Sequence, residues 1–234
     1  MHIGILKVDT PPLPLLVQHG EYSDMMIRML DRTDGGFSYT ILNVENETLP
    51  NNLDDYDGFI ITGSKVSVYD DVIWIEKLKA LLVEASHKNK KLVGICFGHQ
   101  LLAATFGGLV EKSTRGWGLG VASFDVYSHK LWQQPTQKKI SLLTSHKDQV
   151  VRLPSGAQCI AGNEFCPNAC FQLRDNILGI QEHPEFSPAY LRALMNIRRE
   201  TIGEYIVNKA EQSLLRPNNG LVVGGWIRHF LNPF

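Results

Sequence analysis

The stretch "LVGICFGHQLLAATFGG", residues 92–108, runs from an apolar segment directly into a segment with helical spacing. Cys96 lies at the junction, with Gly94 before it and Gly98 after it. This G-x-C-x-G pattern is the cysteine form of a nucleophile elbow, in which a buried strand turns sharply into a helix. The alternative is a structural cysteine that lies by chance near two glycines, which are common at strand ends.

Short apolar runs alternate with longer amphipathic runs around this stretch. The pattern predicts strands at 2–8, 37–44, 57–64 and 91–96, helices at 22–31, 71–90 and 98–108, and a proline-rich loop at 9–15. Alternating strands and helices are typical of parallel strands joined by crossover helices. The sequence therefore predicts an α/β fold, a three-layer sandwich around a mostly parallel sheet.

The second half of the chain has a different pattern. Residues 109–180 contain many short β-like runs separated by turns, which predict extra antiparallel strands attached to the same sheet. A long helix is predicted at 188–215 and a short one at 221–232. Because no linker or repeat interrupts the pattern, we expect residues 1–234 to form a single domain.

Composition excludes several classes of function. The chain is 44% hydrophobic with a net charge of −1 and has no basic stripe, which argues against binding nucleic acid. No apolar run reaches the roughly 18 residues of a membrane helix. The first residues resemble a strand rather than a signal peptide, so we expect a cytoplasmic protein.

Cysteine spacing gives no sign of a metal or a disulfide framework. Besides Cys96, the chain has Cys159, Cys166 and Cys170, none of which belongs to a C-x-x-C pair. Structural zinc sites normally show such pairs, so we expect these three to be small apolar residues. No phosphate-binding glycine loop is present either, and we expect neither a metal nor any other cofactor.

A base for Cys96 is available near the end of the β-rich region. In "LGIQEHPEFSP", residues 178–188, a short apolar strand ends just before His183 and Glu185. A cysteine nucleophile needs a base and a group that orients the base, and an imidazole followed by a carboxylate supplies both. If the two parallel strands end at the same sheet edge, His183 can reach Cys96. The alternative is a solvated loop.

Together, the elbow and "HPE" resemble the class I glutamine amidotransferases. The segment "TSHKDQVVRLP", residues 144–154, is similar to a loop in the glutaminase part of GMP synthase, and "RGWGLG", residues 115–120, to stand-alone members like it. The resemblance implies a flavodoxin-like fold. It also implies a Cys96–His183–Glu185 triad that attacks the γ-amide of glutamine.

The resemblance implies further roles around the triad. The backbone N–H groups of Phe97 and Ser64 would form the oxyanion hole, although Ser64 stands where the family usually has glycine. The residues implied in substrate binding are Gly63, Gln100, His146 and Asp148.

Three functions stay open at this point. The first is hydrolysis of glutamine, a small-molecule substrate, with ammonia passed to a separate synthase or released. The second is hydrolysis of γ-glutamyl peptides, which present the same carbonyl to the thiolate. The third is a regulatory or binding subunit without catalysis, against which the intact residues Cys96, His183 and Glu185 argue.

Overall fold

A large β-sheet forms the centre of the structure, a computed structural model that describes residues 1–33, 36–46 and 48–232. Nine strands of the described residues form this sheet and two more pair separately. The strands are β1 (His2–Lys7), β2 (Ser38–Asn43), β3 (Gly58–Ile61), β4 (Lys91–Ile95), β5 (Leu109–Lys112), β6 (Gly118–Val126), β7 (Lys139–His146), β8 (Asp148–Arg152), β9 (Ala157–Gly162), β10 (Cys170–Leu173) and β11 (Ile177–Ile180).

Helices connect the parallel strands and form the C-terminal part of the chain. They are α1 (Leu13–His19), α2 (Tyr22–Asp31), α3 (Ile73–His87), α4 (Phe97–Thr105), α5 (Pro188–Ile197), α6 (Arg199–Ile202), α7 (Glu204–Ser213) and α8 (Gly220–Leu231). Two short 3-10 helices lie at Val44–Asn46 and Leu53–Asp55.

The sheet combines a parallel part with an antiparallel part, in the order β2-β1-β3-β4-β11-β10-β9-β6-β7. The strands from β2 to β11 run parallel, and the pairs from β11 to β7 run antiparallel. The predicted mostly parallel sheet with antiparallel additions is confirmed. One detail was wrong, because β5 and β8 form a separate two-stranded sheet instead of joining the central one.

Helices cover both faces of the parallel strands and make three layers. In β4, Leu92 packs in the cluster that includes Leu78 of α3 and Leu101 of α4. The next residue, Val93, points to the opposite face and packs in the cluster that includes Met26 of α2 and Trp226 of α8. This alternation buries both faces, as the continuous apolar runs of the sequence predict.

Two predicted helical boundaries were wrong. The helix predicted at 188–215 is broken into α5, α6 and α7, and the last break falls at Gly203, whose φ of 103° does not belong to a helix. The predicted loop at 9–15 contains the start of α1 at Leu13. Pro14 is compatible with this start because the first helical turn does not use its own N–H groups.

None of the helices within the described ranges has both the length and the apolar character needed to cross a membrane.

Candidate active site

Two neighbouring parallel strands bring the candidate nucleophile and base to the same edge of the sheet. Ile95, the last residue of β4, pairs with Ile180, the last residue of β11. The N–H of Cys96 donates to the carbonyl of Ile180 at 2.9 Å, and the N–H of His183 donates to the carbonyl of Leu143 in β7 at 2.9 Å. The backbone of both residues is therefore fixed by sheet hydrogen bonds immediately beyond the strand ends.

Cys96 occupies a strained turn between β4 and α4. Its φ of 53° and ψ of −102° lie in a region that L-residues rarely adopt, and it caps the N-terminus of α4. A Cβ on Gly94 would lie 2.3 Å from the carbonyl of Gly98, and a Cβ on Gly98 would lie 2.5 Å from the carbonyl of Ile61. Only glycine fits at either position, which explains the G-x-C-x-G spacing in steric terms.

His183 contacts Glu185 and lies in the same cavity as Cys96. Its Nδ1 lies 2.8 Å from Oε1 of Glu185. All three side chains are buried. Burial lowers the pKa of His183, but the charges of Glu185 and Cys96 and the hydrogen bonds to both outweigh it and raise the pKa to about 10. The arrangement stabilises the protonated imidazole of His183.

Aromatic rings hold the imidazole in place. The ring of Phe186 stacks on His183 with centroids 3.9 Å apart and an interplanar angle of 5°. Phe186 also contacts the rings of Tyr22 and Tyr190, whose hydroxyl groups lie 3.1 Å apart. Phe186, supported by a tyrosine from α2 and one from α5, therefore restricts the orientation of His183.

The residues implied in the oxyanion hole lie next to Cys96. Phe97 is the first residue of α4, where backbone N–H groups have no partner within the helix. Gly63 and Ser64 line the same cavity as Cys96. Ser64 does not have a positive φ, so its Cβ imposes no backbone strain.

The loop that carries Ser64 is held by Asp9. This buried carboxylate accepts hydrogen bonds from the backbone N–H of Lys65 at 2.8 Å and from Lys65 Nζ at 2.7 Å. Sequence patterns did not identify Asp9, because it lies at the end of another strand and belongs to no motif.

Gln100, His146 and Asp148 lie together beside the triad but not in its cavity. The side-chain amide of Gln100 donates to the carbonyl of Asp148 at 2.9 Å, and Nδ1 of His146 lies 3.1 Å from the same carbonyl. The carboxylate of Asp148 accepts hydrogen bonds from Ser67 at 2.5 Å and Tyr69 at 3.0 Å. This network connects α4, β7 and the loop after β3, so it supports the walls of the site.

The cavity at the triad, which we call the triad cavity, has a volume of about 20 Å³. That space holds about one water molecule. Besides the triad residues and the loop at Gly63, its walls include Tyr22, Ser145, Leu194 and Arg198. These four residues were missed by the sequence analysis because α2, β7 and α5 contribute them from distant parts of the chain and no motif connects them.

Comparisons with known proteins show which family the chain resembles in sequence. The family model Glutamine amidotransferase class-I matches residues 17–195. Gamma-glutamyl peptidase 3 of Arabidopsis thaliana is 30% identical over 172 residues, which cover 70% of this chain and 69% of that protein. A glutamine amidotransferase-like protein of Schizosaccharomyces pombe is 30% identical over 233 residues, which cover 93% of this chain and 92% of that protein.

The fold also matches a solved structure. The crystal structure of a glutamine amidotransferase from Thermotoga maritima superposes with a TM-score of 0.80 over 99% of both chains, at 16% sequence identity. At this identity the likeness concerns the fold alone, and the sequence matches establish the relationship. Since the family model covers most of the chain, the protein belongs to the class I glutamine amidotransferase family.

Proposed function

We propose that this protein hydrolyses γ-glutamyl amide bonds through a γ-glutamyl thioester on Cys96. The observation that carries the proposal is the position of His183, which bonds to Glu185 through Nδ1 and lines one cavity with Cys96. A nucleophile, a base and a group that orients the base are the minimum set for this chemistry.

In the first half of the reaction, the thiolate of Cys96 attacks the γ-carbonyl carbon of the substrate. The carbonyl oxygen becomes an oxyanion, for which the N–H groups of Phe97 and Ser64 are the proposed donors. The C–N bond then breaks, and the imidazolium of His183 gives its proton to the leaving nitrogen. Ammonia or an amine leaves, and the γ-glutamyl group stays on the sulfur.

In the second half, water replaces the thiolate. Neutral His183 takes a proton from the water as its oxygen attacks the thioester carbon. The C–S bond breaks, glutamate leaves, and the thiolate and imidazolium are restored. Glu185 stabilises the imidazolium, which is the resting form of His183 and is re-formed in this step.

Arg198 is the proposed partner for the substrate's α-carboxylate. It lines the triad cavity and forms no ion pair with another residue in the described part of the chain. A guanidinium matches the planar geometry of a carboxylate. The triad cavity has room for about one water, so its walls have to open before a glutamyl group enters.

Glutamine and a γ-glutamyl peptide are the two candidates for the physiological substrate. Two observations favour a peptidase that works alone: the relative named Gamma-glutamyl peptidase 3, and the anchoring of the Ser64 loop by Asp9 within this chain. An oxyanion hole whose loop is already fixed within the chain does not need a partner protein to form. A glutaminase that supplies ammonia to a separate synthase is the alternative.

We further propose that residues 1–234 act as one domain in the cytoplasm. All four cysteines are free, and three of them are buried, which is typical of a reducing compartment.

The test is a substrate panel with the purified chain and no added subunit. Release of glutamate is measured from glutamine, from γ-glutamyl dipeptides, and from the same dipeptides with an amidated α-carboxylate. We expect turnover of the free acids and a raised KM for the amidated forms. The variant Cys96→Ala is the matched control for each substrate. Absence of turnover with every γ-glutamyl compound would contradict the proposal.

A further inference from the structure

Three buried side chains with metal-binding atoms meet on the face of β7 opposite the triad cavity. His146 lies at the end of β7, Glu182 follows β11, and Cys166 comes from the turn between β9 and β10. One ligand atom from each lies within 4.8 Å of the others, and their exposed fractions are 4%, 1% and 2% in that order. We call these residues the buried cluster.

Three polar atoms of the buried cluster lack hydrogen-bond partners within the described residues. Among the described residues, neither carboxylate oxygen of Glu182 nor Nε2 of His146 has a hydrogen-bond partner. The two side chains approach to 3.4 Å between Nε2 and Oε1, but this contact does not have hydrogen-bond geometry. A carboxylate that is desolvated without a hydrogen bond is strongly destabilising, so the site as it stands requires a proton or a cation.

The orientation of His146 suits a metal ligand. Its Nδ1 lies 3.1 Å from the carbonyl of Asp148, which can only accept, so Nδ1 carries the proton and Nε2 presents a lone pair to the cluster. Histidines that bind metals commonly donate their second ring nitrogen to a backbone carbonyl in this way, which fixes the tautomer.

A cavity next to the buried cluster provides space for a further ligand. It has a volume of about 180 Å³, and its walls include His146, Glu182, Thr144 and Asn163. The hydroxyl of Thr144 is likewise unpaired within the described residues. The cavity has room for several waters, one of which can complete a coordination shell.

We propose that His146, Cys166 and Glu182 bind a Zn²⁺ ion, with a water from the adjacent cavity as the fourth ligand. One nitrogen, one sulfur and one oxygen ligand form a set that zinc accepts in tetrahedral geometry. Ligand atoms around tetrahedral zinc lie about 3.3–3.7 Å apart, so the side chains move together by roughly 1 Å. On binding, the thiol of Cys166 loses its proton to solvent and its thiolate bonds to the metal.

Zinc at this position would restrict the motion of the backbone segment that carries His183. Glu182 precedes His183 directly in the chain, and the two side chains point to opposite faces. A metal bound by Glu182 therefore fixes the backbone between β11 and His183. The inference stands independently of the proposed hydrolysis, because it concerns binding and stability.

The test is a zinc titration of chelator-treated Cys96→Ala protein. This background removes the sulfur of the other Cys–His–Glu set, which could itself bind zinc. We expect binding of one zinc per chain by calorimetry and a higher Tm with zinc. Cobalt in place of zinc should give a thiolate-to-metal absorption band.

Two cluster variants and one control in the same background make the test specific to the buried cluster. Cys166→Ser should abolish the cobalt band, whereas Cys159→Ser, at a cysteine outside the cluster, should leave binding intact. Glu182→Gln keeps the shape of the side chain, and it should weaken zinc binding by at least the ~10–100-fold seen when a supporting partner is lost. Absence of stoichiometric binding, or binding that survives both Cys166→Ser and Glu182→Gln, would overturn the proposal.

Discussion

The imidazole of His183 lies flat against the phenyl ring of Phe186, with 3.9 Å between the ring centroids and 5° between the ring planes. Phe186 is buried, and Tyr22 and Tyr190 pack against its other sides. The face of a phenyl ring is electron-rich, so the stack both orients the imidazole and favours its protonated form.

Replacement of Phe186 by leucine should lower kcat more than it raises KM. The side chain remains apolar and of similar volume, but the flat support of the imidazole is lost. Ring pairs contribute about 0.5–1.5 kcal/mol, which corresponds to a roughly two- to tenfold lower rate. The matched control is Phe106→Leu, a partly buried ring that packs against the core on the α3 and α4 side. Equal loss of activity in both variants would indicate a general packing effect.

The pKa of His183 should depend on Cys96. Burial alone lowers this pKa, and the charges of Glu185 and Cys96 with their hydrogen bonds raise it to about 10. The ring is therefore protonated at neutral pH and loses its proton only as the pH rises towards 10. In Cys96→Ala one charge and one hydrogen bond disappear while burial remains, so the pKa should fall.

This fall can be followed by NMR titration of the His183 ring in both proteins. Cys170→Ala is the control, because Cys170 is a buried cysteine of the core. The same His183 pKa in Cys96→Ala and in the unmodified protein would show that no thiolate–imidazolium pair forms.

Removal of the Glu185 charge should lower the activity less than removal of His183, the proposed base. His183→Ala is expected to lower turnover by the ~10²–10⁴-fold typical of a lost general base. Glu185→Gln keeps a hydrogen-bond partner 2.8 Å from Nδ1 but no longer stabilises the imidazolium, so its loss should be smaller. Both are measured as kcat/KM on the best γ-glutamyl substrate. An unchanged rate in Glu185→Gln would remove Glu185 from the proposed mechanism.

We expect Asp9 to affect the rate of catalysis because its carboxylate accepts a hydrogen bond from the backbone N–H of Lys65. Asp9→Ala frees the loop that carries Ser64, and we expect kcat to fall by up to the ~10²–10³-fold cost of one oxyanion donor. Lys65→Met removes the ammonium contact of the buried Asp9 carboxylate but keeps the backbone N–H that anchors the loop, so kcat should fall less than in Asp9→Ala. The comparison is made at equal folded fraction, checked by Tm. Similar kcat values for the two variants would contradict a role for the backbone anchor.

Local patterns predicted those parts of the structure that depend on residues close in sequence. A Cβ on Gly94 or Gly98 would approach neighbouring backbone to 2.3 and 2.5 Å, so only glycine fits there. The G-x-C-x-G spacing by itself therefore predicts the turn. The position of His183 beyond β11 follows from parallel strands that end at one edge. By contrast, the break at Gly203 was missed because a glycine inside an amphipathic run also occurs in continuous helices.

Features that arise from distant parts of the chain could not be predicted. Asp9 reaches Lys65 across 56 positions, and no motif connects them. Arg198 lies at the C-terminal end of α5 and lines the triad cavity. Nothing in the sequence distinguishes it from an ordinary surface arginine. The buried cluster draws one residue from each of three elements, so no C-x-x-C spacing reveals it.

The most direct test of the account is to trap the acyl-enzyme. The protein is mixed with a γ-glutamyl substrate, quenched with acid during turnover, digested and examined by mass spectrometry. We predict one added glutamyl group on the peptide that contains Cys96, its loss on treatment with hydroxylamine, and no adduct in Cys96→Ala. Turnover that persists in Cys96→Ala, or a glutamyl group on another residue, would contradict the account.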